Sequence, residues 1–242
     1  MQIVGVAAAG GSPLFVRPLA HGADPHRLAW ELGYRIVRPL SASGAGDHLS
    51  LTLQVSAHGR PITALGRQRV RQVDHGAKLD PGVEPLRRQR LAAYGIVLSD
   101  RGILGTEFSA RTAVPGLWGL PGGGIDPGEN PSQAVIREVV EETGQEIDIS
   151  HLLDVQSDHW IGRAPNGVLE DFHAVRIIYA ATSPQPDDPA VYDVGGTTAS
   201  AAWIRLGEWT RTPWAAGARA LLDRHLSTLV ATYRHRKNRS AG

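Results

Sequence analysis

Three carboxylates fall within five residues of this chain: Glu138, Glu141 and Glu142. On a helix their spacing of i, i+3 and i+4 makes all three project from one face. Like charges so placed repel one another, and a helix gains from the arrangement only when something positive sits between them. Hard divalent cations take oxygen ligands of this kind, usually together with a substrate's phosphates. Immediately upstream runs Gly122-Gly123-Gly124-Ile125-Asp126-Pro127-Gly128-Glu129. Glycine and proline in such a run make a tight loop whose backbone comes close to whatever the carboxylates bind. An acidic triplet alone is ordinarily a solvated face; the loop ahead of it and Gly144 behind it argue for a metal site.

The elements around this unit follow from periodicity. Pro131-Ser132 opens an apolar-periodic helix in which Ala134, Val135 and Val139, with Ile136 beside them, supply the buried stripe, and Gly144 ends it. Ahead of it, 91–98 is a near-continuous apolar strand and 102–108 pairs back across Ser99-Asp100-Arg101. Behind it come strands at 147–156, 171–180 and 201–206, a Pro/Asp-rich loop at 183–189, and a closing helix from Pro213 to Leu226 with Ala218, Leu221, Leu222 and His225 on one side. The first 58 residues read as a small α/β unit. Its strands lie near 1–10, 14–16, 34–40 and 49–55, and a helix capped by Asp24 is closed by Gly33. Fewer than about 60 residues make a marginal core, so this unit is expected to lean on the rest of the chain or on a second subunit. No internal repeat is visible. The organisation expected is an N-terminal unit with a basic linker at 1–85, a main domain at 86–226 and a basic tail at 227–242.

Composition narrows the classes. The chain has 242 residues, a formal charge of +1 and no cysteine. Disulfides, thiol chemistry and thiolate metal sites are thereby excluded, and a cytoplasmic setting fits. No run approaches the roughly 20 apolar residues of a membrane span, and the apolar start lacks a basic region, reading as a strand rather than an export signal. Near-zero net charge implies no global attraction to nucleic acid or membrane. Arg60, Arg67, Arg69, Arg71, Lys78, Arg87, Arg88 and Arg90 cluster locally, as a solvated linker or as a rim that attracts polyphosphate. Arg234 to Arg239 reads as a frayed helix end. His21, His26, His48 and His58 show no ligand spacing and read as surface or core histidines.

Gly123, Glu129, Arg137, Glu138, Val139, Glu141, Glu142 and Gly144 together reproduce the pattern of the Nudix box, and Leu117-Trp118-Gly119-Leu120-Pro121-Gly122-Gly123-Gly124 resembles the approach to it. The chain therefore resembles the Nudix hydrolase family, and within it MutT-like chains of an actinobacterial type with an extra N-terminal unit. One position departs: Gln145 stands where an apolar residue is usual. The resemblance implies an α+β fold, an α/β/α sandwich around a mixed sheet. It also implies a Mg²⁺- or Mn²⁺-dependent enzyme that hydrolyses a nucleoside diphosphate linked to another group.

On that resemblance the metal ligands are Glu138, Glu141, Glu142 and the carbonyl of Gly122. Arg137 lies about 100° off the acid face and is expected to orient the carboxylates through a pair with Glu129, which would hold the loop to the helix. The general base is a box glutamate or a later acid. Glu170 and Asp171 are the best downstream acids, Asp158 and His159 are poorer, and His173 reads as packed. Trp118, Trp160 and Phe108 are the aromatic candidates to stack on a base. Pro165 lies too late for the ADP-ribose pattern, the nearest tyrosine for a dinucleoside-polyphosphate pattern is Tyr179, and a coenzyme A signature is absent. By elimination a nucleoside triphosphate leads. The alternatives are a module that senses a nucleotide or ADP-ribose, and an ADP-ribose or nucleotide-sugar pyrophosphatase. The expected partner is a small-molecule nucleotide, without nucleic acid or membrane; a homodimer is a further expectation.

Overall fold

The computed structural model describes residues 1–58, 71–73, 83–164, 167–193 and 195–240. Arg60, Arg67, Arg69, Lys78 and Pro165, named above, lie outside the described residues. The chain order is β1 (Gln2–Val6), β2 (Pro13–Pro18), α1 (Pro25–Glu31), β3 (Tyr34–Ser43), β4 (Ser50–Ala57), β5 (Arg71–Val73), β6 (Leu86–Ser99), β7 (Gly102–Phe108), β8 (Trp118–Gly119), β9 (Gly122–Gly124), α2 (Pro131–Thr143), β10 (Asp148–Arg163), β11 (Leu169–Thr182), β12 (Thr198–Ile204) and α3 (Ala216–Ser240). Every element expected from periodicity is present, in an α+β arrangement with mixed strand directions. Two compact units result, one of Met1–Ala93, Gly124–Pro131 and Leu152–Ile178, the other of Tyr94–Gly123, Ser132–His151 and Tyr179–Gly242.

In the first unit a four-stranded sheet takes the order β2-β1-β4-β3, with β1 antiparallel to β2 and parallel to β4. The alternation in β4 is physical: Leu51, Leu53 and Val55 are buried while Ser50, Thr52 and Gln54 between them are half-exposed. Gly5 has to be glycine, because a Cβ there would lie 2.2 Å from the Phe15 ring. Asp24 caps α1 as expected, its Oδ1 accepting from the His26 and Arg27 amides at 2.7 and 3.0 Å.

The larger sheet runs β12-β7-β6-β11-β10-β5, with β8 on β7 and β9 on β6. The β6–β7 hairpin closes with Ser99 opposite Gly102, and Gly102 sits at φ +130° where a Cβ would strike the Ile204 carbonyl oxygen at 2.1 Å. In the second unit α2 buries Ala134, Val135 and Val139 completely, whereas Ile136, expected beside that stripe, is 41% exposed. Its position one residue past Val135 turns it about 100° away.

α3 corrects the sequence reading. The closing helix was expected to stop near Leu226 with a frayed basic end, and it continues to Ser240. Its buried stripe of Leu221, Leu222 and Leu226 does end there, so hydrophobic periodicity could not show the continuation. Two polar ties hold the extension: Arg236 Nη1 reaches Ser150 Oγ at 3.4 Å and Lys237 Nζ reaches Asp100 at 3.3 Å. Among the described residues no helix is long and apolar enough to cross a membrane.

Candidate active site

The acid helix and the glycine loop meet within the second unit. α2 starts on Pro131 and ends where Thr143 Oγ1 bonds the Val139 carbonyl and Gly144, at φ +70°, turns the chain away. The segment 190–193 folds over that end: the Tyr192 and Asp193 amides both donate to the Glu141 carbonyl, at 2.8 and 3.1 Å. The Glu141 and Thr143 carbonyls of the last turn thus find backbone partners, the latter the Ala190 amide at 3.0 Å.

Each carboxylate of the triplet has its own environment. Glu142 is 8% exposed. Its Oε2 accepts from the Gly122 amide at 2.9 Å and its Oε1 from Thr198 Oγ1 at 2.6 Å. Burial pushes the Glu142 carboxyl up to about 7, with the charges of Glu138 and Asp193 acting the same way against the hydrogen bonds from Thr198 and Gly122. Glu138 lies against the loop so closely that a Cβ on Gly123 would be 2.5 Å from its Oε1. Glu141 is the outermost, its side chain 47% exposed. Arg137 bridges two of them, Nη1 donating to Glu138 Oε1 and to Glu141 Oε2, both at 3.0 Å. From its place one step off the acid face it therefore reaches back and orients two of the carboxylates directly. The three carboxylates thus stand on one helix beside a glycine segment with no side-chain bulk, Glu138 and Glu142 against it and Glu141 outermost.

The other residues singled out in the sequence stand as follows. Glu129 accepts from the Asp126 amide at 3.1 Å in a turn of the first unit. Glu170, also in the first unit, is 8% exposed and receives Arg88 Nη1 at 2.9 Å. Asp158 pairs with Arg176. In the second unit Trp118 and Phe108 are half-buried and each leans on a glycine: Cβ atoms on Gly105 and Gly119 would meet them at 3.1 and 2.6 Å. The backbone of Trp118 is further tied to Pro213 and Ala215. Trp160 packs on Phe172 at 4.5 Å between ring centres. Thr198 and Asp193 escaped the sequence reading as neighbours of Glu142. Thr198 lies 56 residues downstream, and no local pattern links residues so far apart.

A family model described as the NUDIX domain matches residues 88–225. The chain belongs to the NUDIX domain family, a family of phosphoanhydride hydrolases. Over 103 residues it is 28% identical to the nucleoside triphosphatase NudI of Klebsiella pneumoniae (strain 342), a match covering 41% of this chain and 73% of that protein. Over 92 residues it is 42% identical to an RNA pyrophosphohydrolase of Brucella ovis, covering 36% of this chain and 48% of that protein. The chain thus spans about half the length of the Brucella relative. Among solved structures it is similar to a MutT NUDIX hydrolase from Burkholderia pseudomallei, at 27% identity and a TM-score of 0.45, covering 57% of this chain and 98% of that one.

Proposed function

We propose that this chain is a divalent-metal-dependent pyrophosphohydrolase that cleaves a phosphoanhydride in a nucleoside diphosphate linked to another group, with a nucleoside triphosphate as the leading substrate. The observation that carries the reading is the convergence of Glu138 and Glu142 on the glycine loop, with Arg137 tying Glu138 to Glu141. A phosphoanhydride resists water because its oxygens repel a nucleophile, and a bound divalent ion supplies charge neutralisation and a water of lowered pKa. The chain's own residues hold and shape that site. Glu138, Glu141, Glu142 and the Gly122 carbonyl are the proposed ligands; Arg137 keeps the two outer carboxylates in place. Glu129 braces the loop, and Glu170 is retained as a candidate general base. Trp118 and Phe108 are retained as base-stacking surfaces. The domain division at 1–85, 86–226 and 227–242 belongs to the same proposal.

NudI is by name a nucleoside triphosphatase, which supports a nucleoside triphosphate as the first substrate to try. The test is a panel read by phosphate and pyrophosphate release with Mg²⁺ and with Mn²⁺. It covers canonical and oxidised nucleoside triphosphates, 5′-triphosphorylated RNA, ADP-ribose, NADH, dinucleoside polyphosphates and nucleotide sugars. A nucleoside triphosphate turned over well above the others supports the reading. Binding of a nucleotide without turnover of any panel member overturns it in favour of a sensing module.

A further inference from the structure

A second convergence of ligand atoms lies wholly within the first compact unit and uses no residue of the acid helix. His21 stands between β2 and α1, His159 on β10 and Asp171 on β11. His159 Nε2 is 2.5 Å from Asp171 Oδ1, and His21 Nε2 is 3.0 Å from the same oxygen. The two ring nitrogens and a carboxylate oxygen all lie within 4.8 Å of one another. Their side chains are 22%, 12% and 14% exposed.

Both imidazoles are aimed at one carboxylate oxygen, at unequal distances. His159 makes the aligned contact, while the buried His21 Nε2, at 3.0 Å from Oδ1, is too poorly aligned with it for a well-formed hydrogen bond. A buried ring nitrogen left so costs free energy, and a cation at the meeting point would use both nitrogens and the oxygen at once. The surroundings hold the rings there. Gly22 sits at φ +74°, and a Cβ on it would be 2.6 Å from the His159 ring, so glycine lets the His21 segment close over that histidine. His21 and His159 meet edge-on at 5.3 Å. His173, 5.6 Å from His21, is a wall rather than a ligand: Gln89 Nε2 engages its Nδ1 at 2.9 Å and Ser157 Oγ its Nε2 at 3.0 Å. Ser157 Oγ also bonds the Ala23 carbonyl at 3.2 Å, tying the same segment down. Arg87, 80% exposed, approaches the other oxygen, Oδ2, at 3.9 Å and leaves Oδ1 to the histidines.

We propose that His21, His159 and Asp171 form a second metal site, for a first-row transition ion of the Zn²⁺ class, bound through two imidazole nitrogens and Oδ1 with a remaining position for water. Two nitrogens and one carboxylate suit Zn²⁺, Co²⁺ or Mn²⁺ and disfavour Mg²⁺, which takes oxygen ligands in octahedral geometry. Donors of one such ion sit roughly 3.0–3.5 Å apart, so His159 Nε2 and Oδ1 must part from their 2.5 Å contact for the ion to enter between them. The ion would pin the segment between β2 and α1 to strands β10 and β11.

The experiment uses the full chain, stripped of metal and then held in excess Mg²⁺ so that an oxygen-ligand site is filled. Co²⁺ is added and followed by its visible absorption, and Zn²⁺ by displacement of Co²⁺ and by thermal unfolding. The expected result is one Co²⁺ per chain, displaced by Zn²⁺, with Zn²⁺ raising the unfolding temperature. His21→Gln and Asp171→Asn should each weaken binding on the order of 100-fold and abolish the rise, while His26→Gln leaves both unchanged. His21→Gln decides the matter if the strand substitution impairs folding, because His21 lies outside the strands. Equal binding by His21→Gln and the parent, or no Co²⁺ bound by the parent, would overturn the site and leave a histidine–aspartate ion pair.

Discussion

At Glu142 burial opposes the metal ligation proposed for it. A carboxyl pushed up to about 7 by burial holds a proton under mildly acidic conditions, and a metal must displace it. Mg²⁺ affinity is therefore expected to rise with pH, by at most about tenfold per unit, and to level off above about 7. Titration calorimetry in buffers of different ionisation heat should detect close to one proton released per ion on the acid side; a flat affinity across that range would count against Glu142 as a ligand. The sign for the metal-free protein is opposite. Because the folded pKa is raised from the ordinary 4.5 to about 7, the folded state binds more protons than the unfolded in that window, and Glu142 lowers stability as pH climbs through it. Thr198→Val removes a hydrogen bond that favours the ionised form and should move the levelling-off to higher pH.

The unit that delivers Glu142 is a loop and a helix, and the loop works by lacking side chains. Gly123→Ala places a methyl 2.5 Å from Glu138 Oε1. That carboxylate is the far end of a flexible chain, so it should swing aside while the fold survives. Metal affinity and turnover are expected to fall on the order of tenfold with an unchanged unfolding temperature; unchanged turnover would mean that the position of Glu138 does not matter. This element was legible in the sequence because its constraints are local. Carboxylate spacing, the glycines and the stripe of Ala134, Val135 and Val139 all fall within about 20 residues. The second half of α3 was not legible, since beyond Leu226 it lacks a buried apolar stripe and is held by Arg236 and Lys237. Asp193 and Thr198 were missed for a related reason, because chain reversal brings them to Glu142 and local sequence carries no trace of that. Of the histidines read as scattered, His21 alone lies in the cluster with His159 and Asp171; it is 138 residues from His159, and only the fold brings them together.

For the whole molecule, His173 sets a limit on acid tolerance. Burial pushes its pKa down to about 4 from the ordinary 6.5, and the charges of His21 and His159 act the same way. Between those values the unfolded chain binds a proton that the folded chain refuses, so stability is lost as pH falls through that window and is constant in this respect above it. Denaturant unfolding in the presence of a chelator should show a slope approaching 1.4 kcal/mol per pH unit from this group near the middle of the window. His173→Gln should flatten that slope. Because Glu142 slopes the other way over part of this range, the readout is the parent minus His173→Gln difference: it should shrink as pH falls through the window, and a difference independent of pH would contradict the buried, neutral imidazole.

The measurement that bears most directly on the proposed activity is steady-state turnover of the best nucleotide substrate by the parent and by Glu141→Gln, with Mg²⁺ varied. Glu141 is the most exposed of the three carboxylates, so its replacement should leave folding intact, which circular dichroism and thermal unfolding check. The expected result is a fall in kcat of at least about 100-fold and a higher Mg²⁺ requirement in the variant. Equal kcat and equal Mg²⁺ dependence in the two proteins would contradict the assignment of the acid helix as the catalytic metal site.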